Sequence, residues 1–221
     1  MSIFDEELQH LKEKLLKMGS LVEDAIKNSI HALVERDNAL AHKVIDNDRL
    51  VNTLDVEIDE ESIRLIALRQ PKATDLRFIT MAMKITTDME RMGDLAVNIA
   101  ERALELNEEP ILKPYIDIPK MRAIAQGMIR DALNAFVKRD KHLAMEVIMR
   151  DDEVDDLKRE VLQELAFFMI QDPSTVSRAM KVSFVAQYLE RFADHATNIA
   201  EMVIYLVDGK IIRHMAPPTE H

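Results

Sequence analysis

Cysteine and tryptophan are absent from this chain, and glycine occurs only four times in 221 residues. Without cysteine there is no disulfide, no thiolate metal site and no cysteine nucleophile, so site chemistry falls to oxygen ligands and a few histidines. That absence also suits a reducing compartment. Scarce glycine, with few clusters of β-branched residues, favours helix over strand. No apolar run approaches the roughly 20 residues that span a bilayer, and the opening Met-Ser-Ile-Phe-Asp-Glu-Glu-Leu lacks the basic-then-apolar order of a secretory signal. The chain is therefore expected in the cytoplasm, with no direct insertion into a membrane. Positive charge is in deficit, at a formal net charge of −11. This repels phosphate backbones and anionic lipid, so no nucleic acid is expected as a partner. Cations and basic protein surfaces are better matched.

What the chain does contain is one unit written twice. Residues 90–101 read Glu-Arg-Met-Gly-Asp-Leu-Ala-Val-Asn-Ile-Ala-Glu, and residues 190–201 read Glu-Arg-Phe-Ala-Asp-His-Ala-Thr-Asn-Ile-Ala-Glu, with eight of twelve positions identical. The identities are mainly polar, so they exceed what two amphipathic helices share by chance. Upstream, residues 17–61 lie over 120–164 at an offset of 103, keeping Met18/Met121, Arg36/Arg139, Asp37/Asp140, Leu40/Leu143, Asp48/Asp151 and Leu54/Leu157. The offset falls to 100 by Glu90, which places a three-residue length difference near a helix connection, where such changes are absorbed most easily.

Apolar residues make up 48% of the chain, enough for a substantial core or two smaller ones. Leu8, Leu11, Leu15, Met18, Val22, Ile26, Ile30 and Leu33 recur at three- and four-residue steps and predict a long first helix. Asp37 reads as the N-cap of a second, with Leu40, Val44, Val51, Leu54 and Ile58 on its buried stripe. Pro71 separates it from a third, and three prolines between residues 108 and 119 mark a linker. The second copy repeats the plan, with Asp140 capping a fifth helix, Asp172-Pro173 opening a sixth and Gly209 closing it. The expected fold is all-α: two tandem homologous three-helix bundles, six long helices in all. The first bundle spans 1–107, the linker 108–118, the second bundle 119–209 and a tail 210–221.

At about 100° per residue, Glu90, Asp94, Asn98 and Glu101 fall within about 80° of one another, opposite Met92, Ala96, Ile99 and Ala103. Glu190, Asp194, Asn198 and Glu201 do the same in the second copy. Carboxylates one turn apart repel by only about 0.2–0.5 kcal/mol on an exposed helix, so a solvated face tolerates them. Their retention twice, while neighbouring positions changed, favours a cation site, since such carboxylates can reach one hard ion or two adjacent ones. Asp48 with Asn52, and Asp151 with Asp155 or Asp152 with Asp156, would complete the two sites, with Arg91 and Arg191 ordering the acids.

These motifs, Glu90 and Asp94 with Asn98 and Glu101, then Glu190 and Asp194 with Asn198 and Glu201, resemble those of the PhoU family of phosphate-signalling regulators. The resemblance covers nearly the full length. It implies a Glu/Asp-x-x-x-Asp metal motif in each half (magnesium, manganese, iron or zinc) and cytoplasmic negative control of the phosphate-starvation response. The implied partners are a membrane sensor histidine kinase and the ATPase of the phosphate ABC transporter, with homodimer formation expected. Asn52 departs from Asp155 of the second copy, so the first-half site is expected to hold its ion more weakly.

Two other readings compete. Di-iron bundles are built from paired Glu-x-x-His motifs and further Glu; the one such spacing, Glu7 with His10, has no second copy. A purely structural scaffold would use the acidic stripes for solubility and the fourteen methionines mainly as core filling. His195, opposite Leu95 in the alignment, reads as an incidental helix-surface histidine.

Overall fold

The structure is a computed structural model describing residues 3–209; the expected tail at 210–221 lies outside the described residues. Every regular element among them is helical. The first half comprises α1 (Ile3–Val34), α2 (Asn38–Arg69) and α3 (Ala73–Asn107); the second comprises α4 (Asp117–Lys138), α5 (Lys141–Met149), α6 (Asp151–Gln171) and α7 (Val176–Asp208), with a 3₁₀ turn at Pro173–Thr175.

The duplicated Arg-Asp pair builds the same turn twice. Arg36 and Arg139 take left-handed backbone at φ 59° and 55°, ending one helix, and the next residue caps the following one. Asp37 accepts from the Leu40 amide at 2.9 Å, and Asp140 from the Leu143 amide at 3.1 Å. Left-handed backbone is unfavourable for a residue with a Cβ. At Arg36 it is offset partly by guanidinium bonds to the carbonyls of Asn107 and Glu109. Gly209, at φ 69°, ends α7 in the same conformation at no steric cost.

Besides a shorter opening helix and the 3₁₀ turn, the second copy differs from the first in its middle helix. Where α2 is a single helix, its counterpart is divided at Arg150, whose amide bonds to the Val147 carbonyl, a tighter closure than a regular α-helical one. The Arg150 side chain then reaches across to α4.

More than the linker holds the halves together. Helix α1 packs on α4 and α3 on α7, and one apolar core runs through both bundles. Phe78 of α3 stacks on Phe136 of α4 with ring centroids 4.5 Å apart. At the α1–α4 crossing, a Cβ added to Gly19 would lie 2.1 Å from Leu133 Cδ1, so a larger residue would require the Leu133 side chain to move. Met18, Met89, Met92, Met121 and Met128 are fully buried in this core, the filling role expected of several methionines. The linker is tied to the second half by Lys113 with Glu164, Arg178 with the Pro110 carbonyl and Lys181 with Glu109.

Candidate functional site

Two acidic faces lie where the repeated motif meets the middle helix of its bundle. In the first half, Asp48 of α2 points at Gly93 of α3, close enough that a Cβ there would sit 3.0 Å from its Oδ1. Asn52 donates to Asp48 Oδ2 at 2.8 Å. Glu90 and Asp94 approach from α3. Burial raises the Asp48 carboxyl above its ordinary value, the Asn52 bond opposes this, and the Asp94 charge adds to it. Glu90 is raised by burial and then by Asp94, with Asp55 and Asp48 contributing further. Asp55, raised chiefly by burial, is a member that the sequence reading passed over. It stands seven residues after Asp48, on the same helix face, and that spacing was the available signal. Arg91, exposed on the rim, pairs with Glu90 at 3.4 Å and Asp94 at 3.3 Å.

The second half repeats the arrangement with altered charge. Asp151 is pushed up to about 6, by burial first and then by Asp194; the Thr197 hydroxyl opposes the rise, and Asp155 and Asp152 reinforce it. Asp194 is raised by burial, Glu190 and Asp155 against the pull of His195 and Lys158. Lys158 bonds Glu190 Oε1 at 2.8 Å. Lys158 occupies the repeat position of Asp55. One face therefore carries an internal ammonium where the other carries a further carboxylate. Asn52 removes one acid from the first half, but Asp55 restores it, and the second half neutralises one of its own.

The remaining expected residues divide. Asn98 and Asn198 leave the acidic faces and, with Arg91, Asp94, Arg191 and Asp194, line a cleft of about 440 Å³ between α3 and α7. The fold thus brings both motif copies to one seam. His195 also faces this cleft, and its Nδ1 lies 2.7 Å from Asp88 Oδ1 on α3, which corrects its reading as an incidental surface residue. Asn198 donates to the same carboxylate at 3.5 Å. Glu101 and Glu201 lie eleven residues beyond Glu90 and Glu190, about 16 Å along the helix, outside the acidic clusters. Asp156 turns outward to Arg159 at 2.9 Å.

Carboxylate and amide oxygens are the donors of a hard cation, so the donor chemistry fits magnesium or manganese at the first face. Among the described residues, no three His, Asp or Glu side chains stand ready as a metal-holding group. An ion would have to draw the carboxylates together. The Glu7 and His10 pair has another use: Glu7 is held by Arg64 and Arg69 at 3.1 and 2.8 Å, and His10 by Glu61 at 3.2 Å, clamping α1 to α2.

With this geometry the chain can be set beside known proteins. The family model described as the PhoU domain matches twice, at residues 15–103 and 118–203. A relative from Aquifex aeolicus, named phosphate-specific transport system accessory protein PhoU homolog, is 46% identical over 97% of this chain and 96% of its own length. One of the same name from Pseudomonas aeruginosa is 40% identical over 96% of this chain and 88% of its own. The crystal structure of PhoU from Pseudomonas aeruginosa superposes with a TM-score of 0.89 at 40% identity, covering 94% of this chain and all of the other. The phosphate transport system regulatory protein PhoU of Streptococcus pneumoniae gives 0.87 at 29% identity, over 94% and 98%.

Proposed function

Since the chain belongs to the PhoU family, we propose that it is an accessory protein of phosphate-specific transport and a regulator rather than an enzyme. In this reading it works in the cytoplasm as a homodimer and, when phosphate is plentiful, holds a sensor histidine kinase in its non-activating state beside the ATPase of the phosphate transporter. The observation that supports the accessory role is 46% and 40% identity, over nearly the full length of this chain, to relatives that bear the accessory-protein name. No helix among the described residues is long and apolar enough to cross a membrane, so contact with a membrane complex would run through partners.

Affinity capture of the tagged protein from phosphate-replete and phosphate-starved cells, with membranes solubilised, tests this. Recovery of a sensor kinase or a transporter ATPase is the expected result, and recovery of neither in both conditions would defeat it.

The first acidic face supports a cation role within that function. Asp48, Asp55, Glu90 and Asp94 share one region with no buried ammonium among them, and raised carboxyls there indicate charge that a divalent ion would stabilise. Titration with Mn²⁺ should give a response lost when Glu90, Asp94, Glu190 and Asp194 are all changed to Ala. Indistinguishable titrations of the two proteins would end the cation reading.

A further inference from the structure

The internal duplication offers a control for each cavity, because what fills one copy shows what kind of group the other is shaped to take. Beside Asp48, between α1, α2 and α3, lies a partly enclosed cavity of about 180 Å³ whose lining includes Asp24, Asn28, Lys43, Asn47, Asp48 and Gly93. At the offset of 103, Asn47 corresponds to Arg150, Asn28 to Asp131 and Asp24 to Gly127. In the second half that place is filled from within. Arg150 Nη2 bonds Asp131 Oδ2 at 2.8 Å, and its Nη1 lies 3.4 Å from where a Cβ on Gly127 would be. The guanidinium thus rests against α4, over the glycine and beside the carboxylate, next to the acidic face.

We propose that the first-half cavity is a receptor for a guanidinium group supplied from outside the chain, taking the place that Arg150 takes in the other copy. Three observations converge. The internal guanidinium is missing, since Asn47 replaces Arg150. The space is open. A carboxylate is still available on α1, moved one turn from the Asn28 position to Asp24, with Asp48 bordering the same space. Residues four apart share a helix face, so Asp24 and Asn28 address the same volume. A planar guanidinium suits this set, because it can give parallel bonds to a carboxylate and further bonds to the amide oxygens of Asn28 and Asn47. Lys43, exposed at the rim, stands where the second copy has Glu146. It opposes a bare cation but would pair with the carboxylate of free arginine. The ligand chemistry therefore has two sources, free arginine or an arginine side chain of a protein.

The test is an NMR titration of the full chain with methylguanidinium, with free arginine and with arginine blocked at both ends as N-acetyl amide. Saturable shifts of the backbone amides of Asp24, Asp48 and Gly93, which line the cavity, are expected, at least tenfold weaker in Asp24→Asn, a substitution at an exposed position. The double variant Asn28→Asp with Asn47→Arg rebuilds the second-half pair and should abolish the response while raising the melting temperature. Lys43→Ala separates the sources: it weakens free arginine if the amino acid is the ligand, and strengthens the blocked form if a protein side chain is. Shifts that never saturate, or that persist unchanged in the double variant, would overturn the proposal. Glu90→Gln with Asp94→Asn should leave guanidinium binding intact, so failure of the cation reading and failure of this one remain distinguishable.

Discussion

Asp151 shows how a residue is governed by its surroundings. Its carboxyl is pushed up to about 6, with burial the first cause and Asp194 the second. Between about pH 4 and about pH 6 the folded protein therefore binds a proton there that the unfolded chain has released. Stability tied to this group is present at the acid end, falls as pH rises through that window and stays lower above it. Asp151→Asn should remove this slope and stabilise the protein at neutral pH by about 1 kcal/mol after allowing for solvent screening. Urea unfolding at pH 4.5 and pH 7, expressed as the difference between the two proteins, would check it; an unchanged difference counts against the assignment. The charge swap between Asp55 and Lys158 gives a second prediction. Asp55→Lys copies the Lys158–Glu190 pair into the first face and should suppress its Mn²⁺ response, measurable by manganese relaxation enhancement.

At the scale of an element, the two Arg-Asp turns decide where α2 and α5 begin. Removing a side-chain N-cap costs about 1 kcal/mol. Asp37→Ala and Asp140→Ala should each lower the melting temperature by about 2–4 °C in a chain of this size. Circular dichroism melts would show the loss, and a shift below 1 °C in both variants would mean that the caps are redundant with packing. These turns were legible in the sequence because capping is local: Asp and the amide it accepts from are three residues apart. The division at Arg150 was not legible. It accompanies a side chain that reaches from the end of α5 to Asp131 on α4, a contact across nineteen residues that no local pattern encodes.

For the whole molecule, the shared core has a mechanical consequence. Phe78 and Phe136, Gly19 and Leu133, and His195 and Asp88 join the halves through apolar packing and a polar tie. The bundles should therefore unfold together. Fluorescent probes placed one per half, followed through a denaturant titration, are expected to report coincident transitions. Separated midpoints would show that the halves are independent units joined by a linker. Gly19→Val should lower that common midpoint, because a branched side chain must displace Leu133 from a filled crossing.

The sequence by itself determined the helical class, the duplication, the caps and the pairing of carboxylates on each motif helix, because all of these follow from spacing along one chain. It also carried the family resemblance, in polar residues kept twice. Only the tertiary structure decided which of those carboxylates meet. Asp48 and Glu90 share a face because α2 and α3 pack at Gly93, whereas Glu101 and Glu201 lie too far along their helices to join them. The copies already differ in sequence at Asp55 and Lys158 and at Asn47 and Arg150, but only the structure showed what the two cations meet, Lys158 reaching Glu190 and Arg150 reaching Asp131. A helix pattern states which way a side chain faces on its own helix; what it faces is set by the neighbouring helix, and that depends on how the cores interlock.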